Sequence, residues 1–126
     1  MRELKIRAWY KPYKQMCNVS MLQFDYDGTI CAAVIIEKPF NDQRLVKIDD
    51  LIIEQDTGLK DRNGTKINEG DVLVDDAGEP IEYWTVKLSE GAFVGECAGV
   101  TEALFELTQL EVAGNIHENS ELVEEK

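Results

Sequence analysis

Three cysteines, one histidine and 25 carboxylates are the side chains of this sequence best suited to chemistry. Cys17, Cys31 and Cys97 form no close pair and no C-x-x-C spacing, and His117 stands alone, so a structural zinc site is excluded. A Cys–His nucleophile built from one of these thiols and His117 would need the two brought together by the fold, and no flanking motif announces it. Asp61-Arg62-Asn63 opens like a calcium loop, but Thr65 occupies the third ligand position and Lys66 the glycine position, so the match fails. Asp71, Asp75 and Asp76 could gather round a divalent cation, yet acidic residues at turns are usually only solvated. There is no G-x-S-x-G, no Walker loop and no G-x-G-x-x-G. Paired carboxylates in so acidic a chain say almost nothing about acid–base catalysis. The sequence therefore offers no catalytic residue, no cofactor-binding residue and no metal ligand.

Charge is more informative. The chain carries 13 Lys and Arg against 25 Asp and Glu, a net charge of −12, but the balance is uneven. Met1 to Met16 holds five cations and one carboxylate, whereas from Ile67 onward two lysines face 15 carboxylates. Such a surface repels phosphate backbones and favours basic partners. Asp75, Asp76, Glu79 and Glu82 are the candidate interaction surface, set against the alternative that the acidic face only keeps the chain soluble. Trp9, Tyr83, Trp84 and Phe93 could stack on bases, which leaves a weak single-stranded nucleic-acid binder as a minor reading; the charge argues against it.

A chain of 126 residues suits one domain or two small subdomains, and its composition, 44% hydrophobic and 30% charged, suits a packed core. The longest apolar run, Ile30 to Ile36, is far short of the roughly 20 residues of a membrane helix, and no signal peptide opens the chain, so a bacterial cytoplasmic location is expected. Leu4 to Trp9 alternates apolar and charged residues as a half-buried strand does. Asp27-Gly28 predicts a type I′ hairpin turn between Met21–Tyr26 and Thr29–Ile36. Leu45 to Gln55 fits a strand or a short helix, and Thr57 to Asp71 reads as a tight connection. Val72–Val74, Ile81–Leu88, Ala92–Cys97, Thr101–Leu107 and Glu111–Ile116 are short strand candidates; their spacing suggests that Asp71 to Ile116 closes, or nearly closes, a small barrel. The tail from His117 fits an acidic helical turn or two. As a terminal strand with an unpaired edge, Leu4 to Trp9 also offers a route to self-association.

Gln55 to Leu73, QDTGLKDRNGTKINEGDVL, resembles the signature of the YopX family of phage and prophage proteins, approximately Q-x-T-G-L-K-D-x-N-G-x-x-I-x-E-G-D. The opening MRELKIRAW agrees, as does Glu111 to Leu122, EVAGNIHENSEL, with departures at Asn68, Ala113, His117 and Ser120. The resemblance implies an α+β, mostly β chain: residues 1–56 as an N-terminal β-rich subdomain and 57–126 as a C-terminal SH3-like small β barrel with a short acidic tail. It also implies a phage or prophage origin, and no activity. In the signature itself, Gly58, Gly64 and Gly70 sit where the chain turns, and Asp61 and Asn63 can fold back onto their own backbone, so the segment reads as a structural corner before a binding loop.

The functional expectation is a non-enzymatic accessory protein that binds a host or phage protein of basic character, with self-association as a further option and no membrane partner. The alternative of another class is a metal-dependent hydrolase or nuclease accessory enzyme using clustered carboxylates.

Overall fold

A computed structural model describes residues 5–123, and the chain divides into two compact units at Gln55/Asp56. The first unit is a meander of antiparallel strands: β1 (Ile6–Tyr10), β2 (Gln15–Phe24), β3 (Ile30–Glu37), β4 (Asp42–Lys47) and the first half of β5 (Leu51–Lys60). They lie side by side in the order β4-β3-β2-β1-β5, with one 3-10 turn, Ile48–Asp50, between β4 and β5. Alternation puts Ala8, Tyr10, Cys17, Ala33, Ile35, Val46 and Leu51 on one face, where they form the core of this unit. At its edge Arg44 bridges to Glu37 at 2.7 Å, donates to the Tyr10 hydroxyl and lies over the ring of Tyr13.

The second unit repeats that connectivity. The rest of β5 pairs with the short β6 (Lys66–Asn68), and then β7 (Asp71–Asp75), β8 (Glu82–Ser89), β9 (Ala92–Cys97), β10 (Val100–Ala103) and β11 (Glu111–Asn115) form a five-stranded sheet. Its order is β10-β9-β8-β7-β11, again a meander whose last strand returns beside its first, and again a 3-10 turn, Leu104–Leu107, precedes the last strand. Ile67, Leu73, Trp84, Val86, Leu104, Leu107 and Leu110 make its core. The two units also share a turn. Asp25-Tyr26-Asp27-Gly28-Thr29 and Asp61-Arg62-Asn63-Gly64-Thr65 each close with the first residue's N–H on the threonine carbonyl and the glycine N–H on the first carbonyl. Only the glycine of each needs a positive φ, +87° at Gly28 and +81° at Gly64.

Several expectations need correction. The hairpin at Asp27-Gly28 is present, but its turn is not type I′: Asp27 is absent from the left-handed region, and the loop spans Tyr26, Asp27 and Gly28. Leu4 to Trp9 supplies no free edge, because β1 pairs with β2 on one side and β5 on the other; Leu4 itself lies outside the described residues. The α part of the expected α+β class is not found, since the helical segments among the described residues are single 3-10 turns. Asp71 to Ile116 does not close into a barrel, as β10 and β11 end the sheet without pairing. Thr101 to Leu107 splits into β10 and a 3-10 turn, while the described part of the tail holds one 3-10 turn, Ser120–Leu122.

Candidate functional site

The family-like signature folds as a corner. Asp56 accepts from the N–H of Gly58 at 2.9 Å, and the Thr57 hydroxyl donates to the Ile67 carbonyl at 2.7 Å; between Asp56 and Lys60 the register with β6 shifts as in a bulge. Asp61, 7% exposed, accepts from Asn63 and Thr65 through Oδ1 at 2.8 and 2.9 Å, and from Val112 of β11 through Oδ2 at 2.9 Å. Burial works to raise the Asp61 carboxyl, but the N–H groups of Val112, Thr65 and Asn63, and then the charge of Arg62, outweigh it and hold the group below its ordinary value. Arg62 and Asn63 both reach Glu111, and the Arg62 N–H donates to the Leu110 carbonyl. Further along, Asp71 accepts from Asn68 at 2.7 Å, while Gly70 donates to Val86 and accepts from Ile116. The polar atoms of the signature are thus spent on the backbone of the unit itself and on the closing segment from Glu111.

The acidic candidates cluster at the β7–β8 hairpin. Asp75 and Glu82 are directly paired across the strands, and Asp76 and Glu79 project from the exposed loop between them. Like charges directly opposite are destabilising. None of the four forms an ion pair among the described residues; Asp75 accepts from the Ala77 N–H, and Asp76 acts on Arg62 only through space. Beside this hairpin lies a groove of about 390 Å³ lined by Ile81, Glu82, Tyr83, Glu96, Leu122 and Val123, among others. Adjacent strand residues point to opposite faces, so Trp84 enters the core while Tyr83 and Thr85 turn to the groove. Ile81, 51% exposed, gives the groove an apolar lip, and Glu96 is paired to Lys87 at 3.0 Å.

The sequence reading located the acidic hairpin and missed Ile81, Glu96, Leu122 and Val123. The strict alternation of β8 was the available signal for Tyr83 and Thr85; nothing local announces a tail turn folding onto the sheet.

The other chemical candidates do not assemble. Asp71 turns inward to Asn68 while Asp75 caps Ala77, and among the described residues no three His, Cys, Asp or Glu side chains are placed to hold a metal ion. Burial first, and then Glu37 for Cys17 and Glu82 for Cys97, pushes those thiols up; burial and then Asp25 do the same for Cys31. A nucleophilic thiol needs the opposite shift. Trp84 and Phe93 pack into the core of the second unit, so they do not join Tyr83 as a stacking platform. Among the described residues no helix is long and apolar enough to cross a membrane.

Among solved structures, the chain is similar to protein EF1440 from Enterococcus faecalis, at 26% identity and TM-score 0.72, over 98% of this chain and 100% of that one. It is also similar to protein yopX from Bacillus subtilis, at 21% identity and TM-score 0.64, over 95% of this chain and 98% of the other, a likeness of fold. No curated protein matches the sequence. The YopX protein family model matches residues 5–124, the whole span from β1 through the closing segment that the corner at Asp61 ties down, and the chain belongs to that family.

Proposed function

We propose that this protein is a non-enzymatic accessory protein of phage or prophage origin, working in the host cytoplasm by binding a basic segment of another protein at the β7–β8 hairpin and its groove. One observation carries the reading: Asp75 and Glu82 face each other across two strands, flanked by Asp76 and Glu79, with no cation paired to any of them among the described residues. A basic partner relieves that repulsion and a bare surface does not. Ile81 and Tyr83 beside the carboxylates add apolar contact area. The strand order of the second unit, with its 3-10 turn before the closing strand, supports the SH3-like assignment that the family resemblance implies, as an open rather than closed sheet.

The test is capture of a lysine-rich peptide by the intact protein and by a variant with Asp75→Asn, Asp76→Asn, Glu79→Gln and Glu82→Gln. Affinity should fall more than tenfold in the variant and again for the parent at about 0.5 M salt, where the Debye length shrinks to roughly 4 Å. An affinity indifferent to both changes leaves the acidic face merely solubilising. Saturable Mg²⁺ or Mn²⁺ binding that the same four substitutions abolish would instead favour the metal-dependent enzyme.

A further inference from the structure

The ends of the two sheets are not alike. On β11 the edge is closed from outside: Asp61 takes the Val112 N–H and the Arg62 N–H takes the Leu110 carbonyl. β4 carries Asp42, Arg44 and Lys47 in six residues, the kind of charged edge that resists pairing, and β6 is only three residues long. β10 is a bare edge by comparison, with Glu102 as its single charge. Val100, Thr101, Glu102 and Ala103 are all exposed, Val100 at 52%, their pairing with β9 runs without a bulge, and they include neither proline nor a basic residue. Every second residue of such a strand turns its N–H and C=O away from its one neighbour. The strand also borders the groove: Ala98 and Gly99, the turn leading into it, are part of the groove wall. Glu102, Gly95 and Val86 form one cross-strand row, so a strand added outside β10 continues that row and sets every second side chain on the face that carries Glu102.

We propose that β10 is a docking edge on which an extended basic segment of a partner protein adds as a sixth strand, its backbone bonded to β10 and its alternate cations on the face of Glu102. The proposal rests on the acidic-face reading above and deepens it, since it fixes the partner's conformation as well as its charge. β-addition draws affinity from main-chain bonds and specificity from alternate side chains, and the occupant's sign follows from Glu102 and Glu82, which share that face and have no cation paired to them among the described residues.

Two probes of equal charge separate conformation from electrostatics: a short peptide alternating lysine and valine, and the same peptide N-methylated at every second residue. The intact protein should bind the methylated peptide at least about tenfold more weakly, because two or more backbone bonds are lost at unchanged charge. Binding of the unmodified peptide should also slow amide hydrogen exchange in Val100 to Ala103. Equal affinity for the two peptides, or unchanged exchange in β10, overturns the docking edge while leaving the acidic face standing. Failure of both peptides to bind at low salt removes the acidic-face reading and this proposal together.

Discussion

Replacing Asp61 tests whether the signature corner is a structural device. Its two carboxylate oxygens hold three backbone N–H groups, one of them on β11, 51 residues away in sequence. Asp61→Ala strands all three donors in a largely buried setting. Hydrogen bonds to a charged acceptor contribute about 1.5–3 kcal/mol each, and such terms do not add fully, so the expected loss is about 3–5 kcal/mol. Asp61→Asn keeps one acceptor oxygen for Asn63 and Thr65 but turns an NH₂ group toward the Val112 N–H, which should cost about 2 kcal/mol. Urea unfolding followed by Trp84 fluorescence in a Trp9→Phe background reads the second unit, because each unit holds one tryptophan. The pH dependence carries a sign as well. The carboxyl is held below its ordinary value in the folded protein, so its contribution is complete above about pH 3.9 and is lost as pH falls through the folded value. The gap between parent and Asp61→Asn should therefore close on acidification. An Asp61→Ala loss under about 1 kcal/mol, or a gap constant down to about pH 2, refutes the corner and returns the segment to the status of a free loop.

Arg62→Ala should cost less than about 1 kcal/mol and become silent in high salt, because its bridge to Glu111 is half exposed; a loss equal to that of Asp61→Ala would contradict this. Gly95→Ala should destabilise the second unit by about 1–3 kcal/mol in the same unfolding assay, since a methyl there runs into the buried Leu107 side chain. Leu73→Ala, at a fully buried position, should cost about 2–5 kcal/mol, and a change within 0.5 kcal/mol of zero would mean that the core of this unit is wrongly placed.

What the sequence made legible was local. Ala92 to Cys97 lies between the turn signals at Gly91 and Gly99, and β9 has those very bounds. β2 begins at Gln15, well before the Met21 at which the hairpin arm is expected to start, because one buried residue there, Cys17, anchors it opposite Ala8. β4 was half missed for a related reason: it is an edge strand with Val46 as its single buried residue, so its apolar signal is weak. The free edge assigned to the first strand failed on a non-local fact, the pairing of Ile6–Tyr10 with Leu51–Gln55. Closure of the second sheet failed likewise, since periodicity reports which face is buried and not whether the first and last strands meet. At the candidate site the carboxylates were visible as charge, while Glu96 and the tail turn depend on pairing and packing that no short window contains.

The two units are alike in connectivity and unlike in charge. They share a strand order, a 3-10 turn before the closing strand and one turn geometry, yet residues through Gln55 carry eight cations and eight carboxylates, whereas those from Asp56 carry five and 17. The whole net charge thus belongs to one of two copies of the same connectivity, and the fold cannot be its cause, because the other copy forms without it. Solubility alone would be served as well by spreading the charge over both units, and spreading would lower the self-repulsion that concentrated charge imposes on the folded state. Facing Asp75 with Glu82 goes further, placing two like charges where either alone would have been less costly. Under the proposed function that local cost is offset by a cation arriving from outside the chain, and the exposed β10 is where the proposed strand would be held.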